Sequence, residues 1–374
     1  MALAHKDVKD MTWTVIGGGN GGQSLSGHLG IMGYKVRLYD IIPETIDTIQ
    51  KQGGIMVNGV VEGFGQLEFA TTQLEEALDG ADLIVVVAPA LAHADIAKSC
   101  APYLKDGQIV FIHPGATCGA LEFRKVLDDQ GCPAEVVLAE ANSLIYACRC
   151  PQPGQASILG IKNQLMVAAL PARESSNVVE ILNTAFPQMY EGKNVLHTSL
   201  ENPNSMLHPA PSLLNTSLIE SGREWLYYYD GITPSIGSYV QGLDQERLSI
   251  GQGLGLELTP LLPWFKIVYD APGKTITEAV RNNKAYAGVK GQSTLRTRYV
   301  LEDIPMGLVP LASLGHALNL RVERMETIIR LGELLLSEDF TSSGRTLENL
   351  GLAGMGPKEI LHFAETGSKE LATS

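Results

Sequence analysis

The residues best suited to chemistry fall into two groups. The first is the run Gly17-Gly18-Gly19-Asn20-Gly21-Gly22, followed eighteen positions after Gly22 by Asp40. Gly17 permits a tight turn, Gly19 lets the backbone approach a pyrophosphate with no Cβ in the way, and Gly22 lets a helix pack closely on the preceding strand. The unpaired N–H groups of the helix N-terminus, Asn20 among them, then meet the anion. A carboxylate at Asp40 accepts hydrogen bonds from the adenosine ribose hydroxyls and repels a 2′-phosphate. No arginine follows in Ile41-Ile42-Pro43 to offset that repulsion. The pattern predicts a bound dinucleotide, NAD in preference to NADP.

The second group is the histidines, since hydride transfer needs a proton donor or acceptor that works near neutral pH. The chain has eight. His208 stands in Asn204-Ser205-Met206-Leu207-His208-Pro209, dense in small and amide residues, and residue types alone leave it open between a structural and a catalytic role. His113, in His113-Pro114-Gly115-Ala116-Thr117, is read first as filling space beside a turn. His197 stays open as well. His28, His93, His316 and His362 read as surface or packing residues, and His5 belongs to the N-terminal tail. No histidines and acids fall at zinc-ligand spacing, so no metal is expected.

These groups need elements to hold them. Thr12 to Ile16 reads as a short buried strand and Lys35 to Tyr39 as a second strand; Leu83 to Val87, continued by Gln108 to Ile112 and Val136 to Leu138, is an apolar run of the kind that marks parallel strands buried on both faces, and Leu67 to Ala70 is read as a further strand. Helical segments alternate with them, at Ser24 to Met32, Glu44 to Gln52 and Leu74 to Leu78. The alternation predicts a Rossmann-type α/β fold, a doubly wound parallel sheet. At its carboxyl edge, Pro89 and the His113 to Thr117 turn are expected beside the ribose and nicotinamide. Beyond residue 200 the pattern becomes mostly α-helical, with helices expected at Leu256 to Tyr269, Thr275 to Asn282 and Glu323 to Leu336. The expected domains are 1–200 and 201–374.

Size and composition narrow the classes. A chain of 374 residues with 45% apolar and 18% charged residues suits two globular domains rather than disorder. A net charge of −13 and no basic stripe argue against a nucleic-acid partner. The five cysteines form no disulfide or zinc framework, which fits reduced thiols. The first residues lack the apolar core of a signal peptide, and Leu83 to Ala92 is about half the length of a membrane span. A soluble cytoplasmic protein with no membrane partner is expected.

Four motifs in order along the chain resemble the opine dehydrogenases of the octopine/nopaline type. They are Gly17 to Gly22, His113-Pro114-Gly115-Ala116-Thr117, Met206-Leu207-His208-Pro209 and Thr297-Arg298-Tyr299-Val300-Leu301-Glu302-Asp303. The likeness runs from Thr12 to about Gly354 and takes in Leu196-His197-Thr198-Ser199-Leu200, Gly231-Ile232-Thr233-Pro234-Ser235 and Gly307-Leu308-Val309-Pro310-Leu311. It implies joining the amino group of an amino acid to a 2-oxo acid such as pyruvate, with reduction of the imine by NAD(P)H. It gives His208 the catalytic histidine role and Asp303 that of its acidic partner. Both substrates carry carboxylates, so an arginine fork is wanted, and Arg298 is the first candidate, with Arg149 behind it. Thr117 and Asn204 are candidate polar contacts. Trp225, Tyr227, Tyr228 and Tyr229 are read as core or as a side-chain pocket. The likeness and the apolar stripe Met325 to Leu336 suggest a homodimer. Two other classes are kept: a 2- or 3-hydroxy acid dehydrogenase of the same two-domain plan, and a non-catalytic NAD-sensing module.

Overall fold

The computed structural model describes residues 8–370; the tail with His5 lies outside them. Two units divide the chain, the first made of residues 1–198 with 364–368, the second of the remainder.

In the first unit, strands that are buried almost throughout take the centre of the main sheet. β1 (Thr12–Ile16) is buried along its whole length. β2 (Lys35–Tyr39) lies next to it and buries only Val36 and Leu38. β3 (Gly54–Gly59) and β4 (Gly63–Gln66) leave the main sheet, while β5 (Phe69–Thr71) forms one of its edges. β6 (Leu83–Val86) and β7 (Ile109–Ile112) are wholly buried, as expected of strands covered on both faces. β8 (Val137–Ala141), β11 (Leu165–Leu170) and β12 (Met189–Glu191) complete an eight-stranded order β12-β11-β8-β7-β6-β1-β2-β5. All neighbours are parallel except β8 and β11. The expected doubly wound parallel sheet is therefore present with one antiparallel pairing.

A second sheet, β4-β3-β10-β9, was not foreseen; it adds β9 (Tyr146–Gln152) and β10 (Gln155–Ile161). The strand expected at Leu67 to Ala70 begins two residues later, as β5. Glycine and polar residues interrupt residues 54–66, so no alternation marks these strands. The helices are closer to expectation. Pro43–Gln52 opens with proline at its first position and ends at Gly53, whose φ is +77°.

The second unit is helical. Its longest helix, Pro234–Gly253, starts on a proline. Glu246 of that helix caps the next long one, Glu323–Leu336, by accepting the N–H groups of Arg324 at 3.0 Å and Met325 at 3.1 Å. The stripe expected to serve a dimer contact is mostly used inside this unit: Met325, Ile328, Ile329 and Gly332 are buried, whereas Leu334 and Leu335 are exposed. Expected helices at 256–269 and 275–282 are shorter at their starts, Leu261–Tyr269 and Ile276–Asn282.

Candidate active site

In the first unit, the glycine run joins β1 to the helix Asn20–Ile31. Gly17 has φ +110°, and a Cβ there would strike the Val87 carbonyl at the end of β6. A Cβ on Gly22 would strike the Gly17 carbonyl. Both close approaches draw the helix N-terminus onto the sheet. At Gly19, by contrast, a Cβ would meet nothing. The helix begins with no side-chain cap, so its first N–H groups face that open space. This is the cradle that a pyrophosphate requires, and the residues present fit a dinucleotide.

Asp40 follows β2 and is fixed on both oxygens: Oδ2 accepts the Gly18 N–H, and Oδ1 accepts the Ile42 N–H at 2.9 Å. Ile41 and Ile42 beside it are exposed apolar residues. Arg37, the arginine of β2, is engaged elsewhere, with Glu68 at 2.7 Å and with the Asp79 carbonyl. Asn20 takes an unexpected part. Its Oδ1 accepts the Cys150 N–H at 2.8 Å, which ties β9 to the glycine run. Pro89 lies exposed just after β6, where the turn to Ala90–Ala92 begins.

His113 ends β7 and is buried. It stacks on Phe111 and accepts the Ile145 N–H on Nε2 at 3.3 Å. Burial, with the Lys162 cation adding to it, pushes its pKa down to about 3, so the ring is neutral. That agrees with its reading as a packed residue. Lys162 was not singled out by sequence; its Nζ donates to Ser143 Oγ at 2.7 Å, and burial lowers its pKa to about 8. Thr117 is fully buried ahead of the helix Gly119–Asp129. His197 is half-buried, with Nδ1 accepting the Lys193 N–H at 3.2 Å. Arg149 is exposed and donates to its neighbour's carbonyl, on Cys148.

The second unit brings His208 and Asp303 together across 95 positions of sequence: Nδ1 and Oδ2 are 2.8 Å apart, with both side chains 6% exposed. His208 sits between the short helices Asn204–Leu207 and Pro209–Leu214. Asp303, legible in sequence only as a loop acid, caps a π-helical turn, Ile304–Leu308, a rare element often found at functional sites. The imidazole lies flat on Tyr299, with ring centroids 3.9 Å apart and planes at 7°. Its Nε2 meets the Tyr228 hydroxyl at 3.2 Å. The Tyr227 hydroxyl donates to the His208 carbonyl at 2.8 Å and lies 2.9 Å from Ser212 Oγ.

Of the aromatic cluster, Trp225 and Tyr227 are core, and Tyr228 reaches the histidine; the sequence carried no signal for that contact or for Tyr299. Arg298 precedes Tyr299. It is half exposed, 3.8 Å from Glu302, with its guanidinium 5.9 Å from the Tyr299 ring centre. A loosely held guanidinium of this kind can grip a carboxylate. Asn204 is half-buried one turn before His208, and its carbonyl accepts the His208 N–H at 3.0 Å. Among the described residues, no three His, Cys, Asp or Glu side chains cluster as metal ligands, and no helix is long and apolar enough to cross a membrane.

A nucleotide-binding sheet with a glycine-rich phosphate cradle, and a helical unit holding a buried histidine–carboxylate pair, define an NAD(P)-dependent dehydrogenase. Residues 12–115 match the family described as NAD-dependent glycerol-3-phosphate dehydrogenase N-terminus. Residues 191–336 match NAD/NADP octopine/nopaline dehydrogenase, alpha-helical domain. An opine dehydrogenase of Arthrobacter sp. strain 1C is 40% identical over 349 residues, covering 93% of this chain and 97% of that protein. The chain belongs to the opine dehydrogenase family. Vitopine synthase of Allorhizobium ampelinum is 28% identical, covering 80% of this chain and 86% of that one. A solved octopine dehydrogenase with NADH and L-arginine shares the fold at a TM-score of 0.80 and 20% identity, covering 97% of this chain and all of that one.

Proposed function

We propose that this protein uses NADH to join an L-amino acid reductively to a 2-oxo acid of the pyruvate type, giving an N-(carboxyalkyl) amino acid. The observation that carries the reading is the buried His208–Asp303 pair at 2.8 Å in the helical unit. Asp303 accepts the Nδ1 proton, which fixes the tautomer and leaves Nε2 to exchange protons. His208 takes a proton from the substrate ammonium at Nε2, so that the amine can attack the keto carbon. A second proton passes from the attacking nitrogen to the keto oxygen to give the neutral carbinolamine, and His208 then returns the first proton to that hydroxyl, which leaves as water to give the protonated imine. Tyr299 holds the plane of the ring. Arg298 holds a substrate carboxylate and Asn204 supplies a polar contact, whereas Thr117, fully buried in the first unit, has no surface to offer a substrate. When bound, NADH supplies the hydride that reduces the C=N bond.

Gly17, Gly19, Asn20, Gly22, Asp40 and Pro89 hold the cofactor. NAD is preferred over NADP because the anchored Asp40 carboxylate opposes a 2′-phosphate while Arg37 is committed to Glu68 and the Asp79 carbonyl. Within the family, the sequence resembles bacterial enzymes forming N-(1-D-carboxyethyl)-L-norvaline. Pyruvate with aliphatic L-amino acids therefore heads the substrate panel. A cytoplasmic homodimer completes the reading. The test mixes purified protein with NADH, pyruvate and a panel of L-amino acids. NADH oxidation should require both amine and oxo acid. Equal oxidation with the oxo acid alone would favour a hydroxy acid dehydrogenase, and none with any pair, despite NADH binding, would sink the reading.

A further inference from the structure

Nδ1 of His208 faces a carboxylate, which only accepts, so Nδ1 carries the ring hydrogen and the neutral ring presents a lone pair at Nε2. The atom facing that lone pair is the Tyr228 hydroxyl, at 3.2 Å. Burial, reinforced by the phenols of Tyr286, Tyr299, Tyr227 and Tyr269, raises the Tyr228 pKa well above its ordinary value, so the phenol keeps its proton. The nitrogen that the reaction needs is therefore held by a neighbour's O–H.

We propose that Tyr228 is a positioning residue for His208: its hydroxyl donates to Nε2, holds the imidazole in the neutral Nδ1–H form, and yields Nε2 to the incoming amine. The proposal rests on His208 acting as the acid–base group. It differs from a packing role because the Tyr228 ring is fixed without its hydroxyl. That ring stacks on Tyr286 with centroids 3.7 Å apart and meets Tyr227 edge-on at 4.9 Å. The other groups around the imidazole are Asp303, Tyr227 and Tyr299, with Arg298 and its partner Glu302 beyond Tyr299. None of these others has a hydrogen bond to Nε2.

Tyr228→Phe removes the hydroxyl, which also has a hydrogen-bond contact with Tyr286, so Tyr286→Phe, which leaves the contact with Nε2, is the control. Losing one buried hydrogen bond that favours the neutral ring should lower turnover about tenfold. It should also move the acid limb of the kcat/KM profile for opine oxidation, where the base must be neutral, to higher pH by about half to one unit. Thermal midpoint and NADH affinity should stay at the wild-type values. An NMR titration of the His208 imidazole, identified by its loss in His208→Gln, supplies a readout independent of turnover, and its midpoint should rise by the same amount. An unchanged midpoint, or one that falls, overturns the role of Tyr228. Full activity in His208→Gln would overturn the acid–base reading of His208 instead, whatever the titration reports.

Discussion

Asp303→Asn is the sharpest perturbation available. The amide keeps the volume of the carboxylate but removes its charge, and it can donate as well as accept. In the proposed mechanism the carboxylate stabilises the imidazolium that forms each time His208 takes a proton. With Nδ1 and Oδ2 2.8 Å apart, the charge centres lie about 4 Å apart. Both side chains are 6% exposed, so water screens them weakly. At an effective dielectric constant of about 20, two unit charges at that distance attract by about 4 kcal/mol. Each 1.36 kcal/mol of barrier is worth about tenfold in rate, so losing this attraction costs about a thousandfold in kcat/KM. An amide turned to donate to Nδ1 would place the ring hydrogen on Nε2, and the loss would be larger. The assay is NADH consumption with a saturating amino acid and 2-oxo acid, accompanied by NADH binding and circular dichroism. Activity within about tenfold of wild type, in a folded protein that binds NADH, would refute the proposed partnership.

Three further outcomes follow from the first unit. Asp40→Ser should lower NADH affinity by about tenfold and narrow the gap to NADPH, measured as the ratio of kcat/KM values, because one charge-assisted acceptor and one repulsive charge are lost together. An unchanged ratio would remove Asp40 from cofactor choice. Gly22→Ala should abolish NADH binding or prevent folding, since its methyl would collide with the Gly17 carbonyl, and isothermal titration with circular dichroism tells these apart. His113 predicts acid sensitivity. Its folded pKa of about 3 lies below the ordinary 6.5, so the unfolded chain binds a proton first as pH falls, and stability is lost from about pH 6.5 downward. By pH 4 the loss is about 3 kcal/mol. Urea unfolding of wild type against His113→Leu, with Trp13 left as the reporter by Trp225→Phe and Trp264→Phe, should show a flatter pH dependence in the leucine variant.

What could be read from sequence followed the range of the interactions. β6 and β7 are continuous apolar runs, and Gly17 to Gly22 acts within a single turn, so both were legible locally. The β3, β4, β9 and β10 sheet was not, because Gly54, Gly59, Gly63 and Gly65 erase the alternation, and the pairing of β10 with β3 spans about a hundred residues. The same applies to the candidate site. His208 and Asp303 lie 95 positions apart, and only the family likeness linked them. Nothing in the local sequence separates Tyr228 from the core aromatics Trp225 and Tyr227, since its contact with Nε2 depends on how the segment after Gly222 packs.

Burial of a charged pair is weak evidence for either stability or function, so the wiring around the pair must decide. The second unit contains a useful contrast. Asp244 and Arg247 form another buried pair, at 2.7 Å, with side chains 6% and 3% exposed. Arg247 also donates to the carbonyls of Leu200 at 2.8 Å and Thr259 at 2.6 Å, and Asp244 accepts the Leu261 N–H at 2.9 Å. That pair spends its donors and acceptors on backbone groups and so fastens two segments, at Leu200 and at Thr259 to Leu261, to the helix Pro234–Gly253. The ring nitrogens of His208 are spent differently. One goes to a carboxylate, the other to a single phenol hydroxyl whose hydrogen can turn away, and the backbone carbonyl of His208 is held separately by Tyr227. Because Tyr227 and the stacked Tyr299 already position this residue, the imidazole nitrogens are not needed to hold the chain. A side chain fixed by its backbone and its ring face, with one nitrogen backed by a carboxylate and the other exchangeable, is the arrangement that the proposed proton transfer by His208 requires.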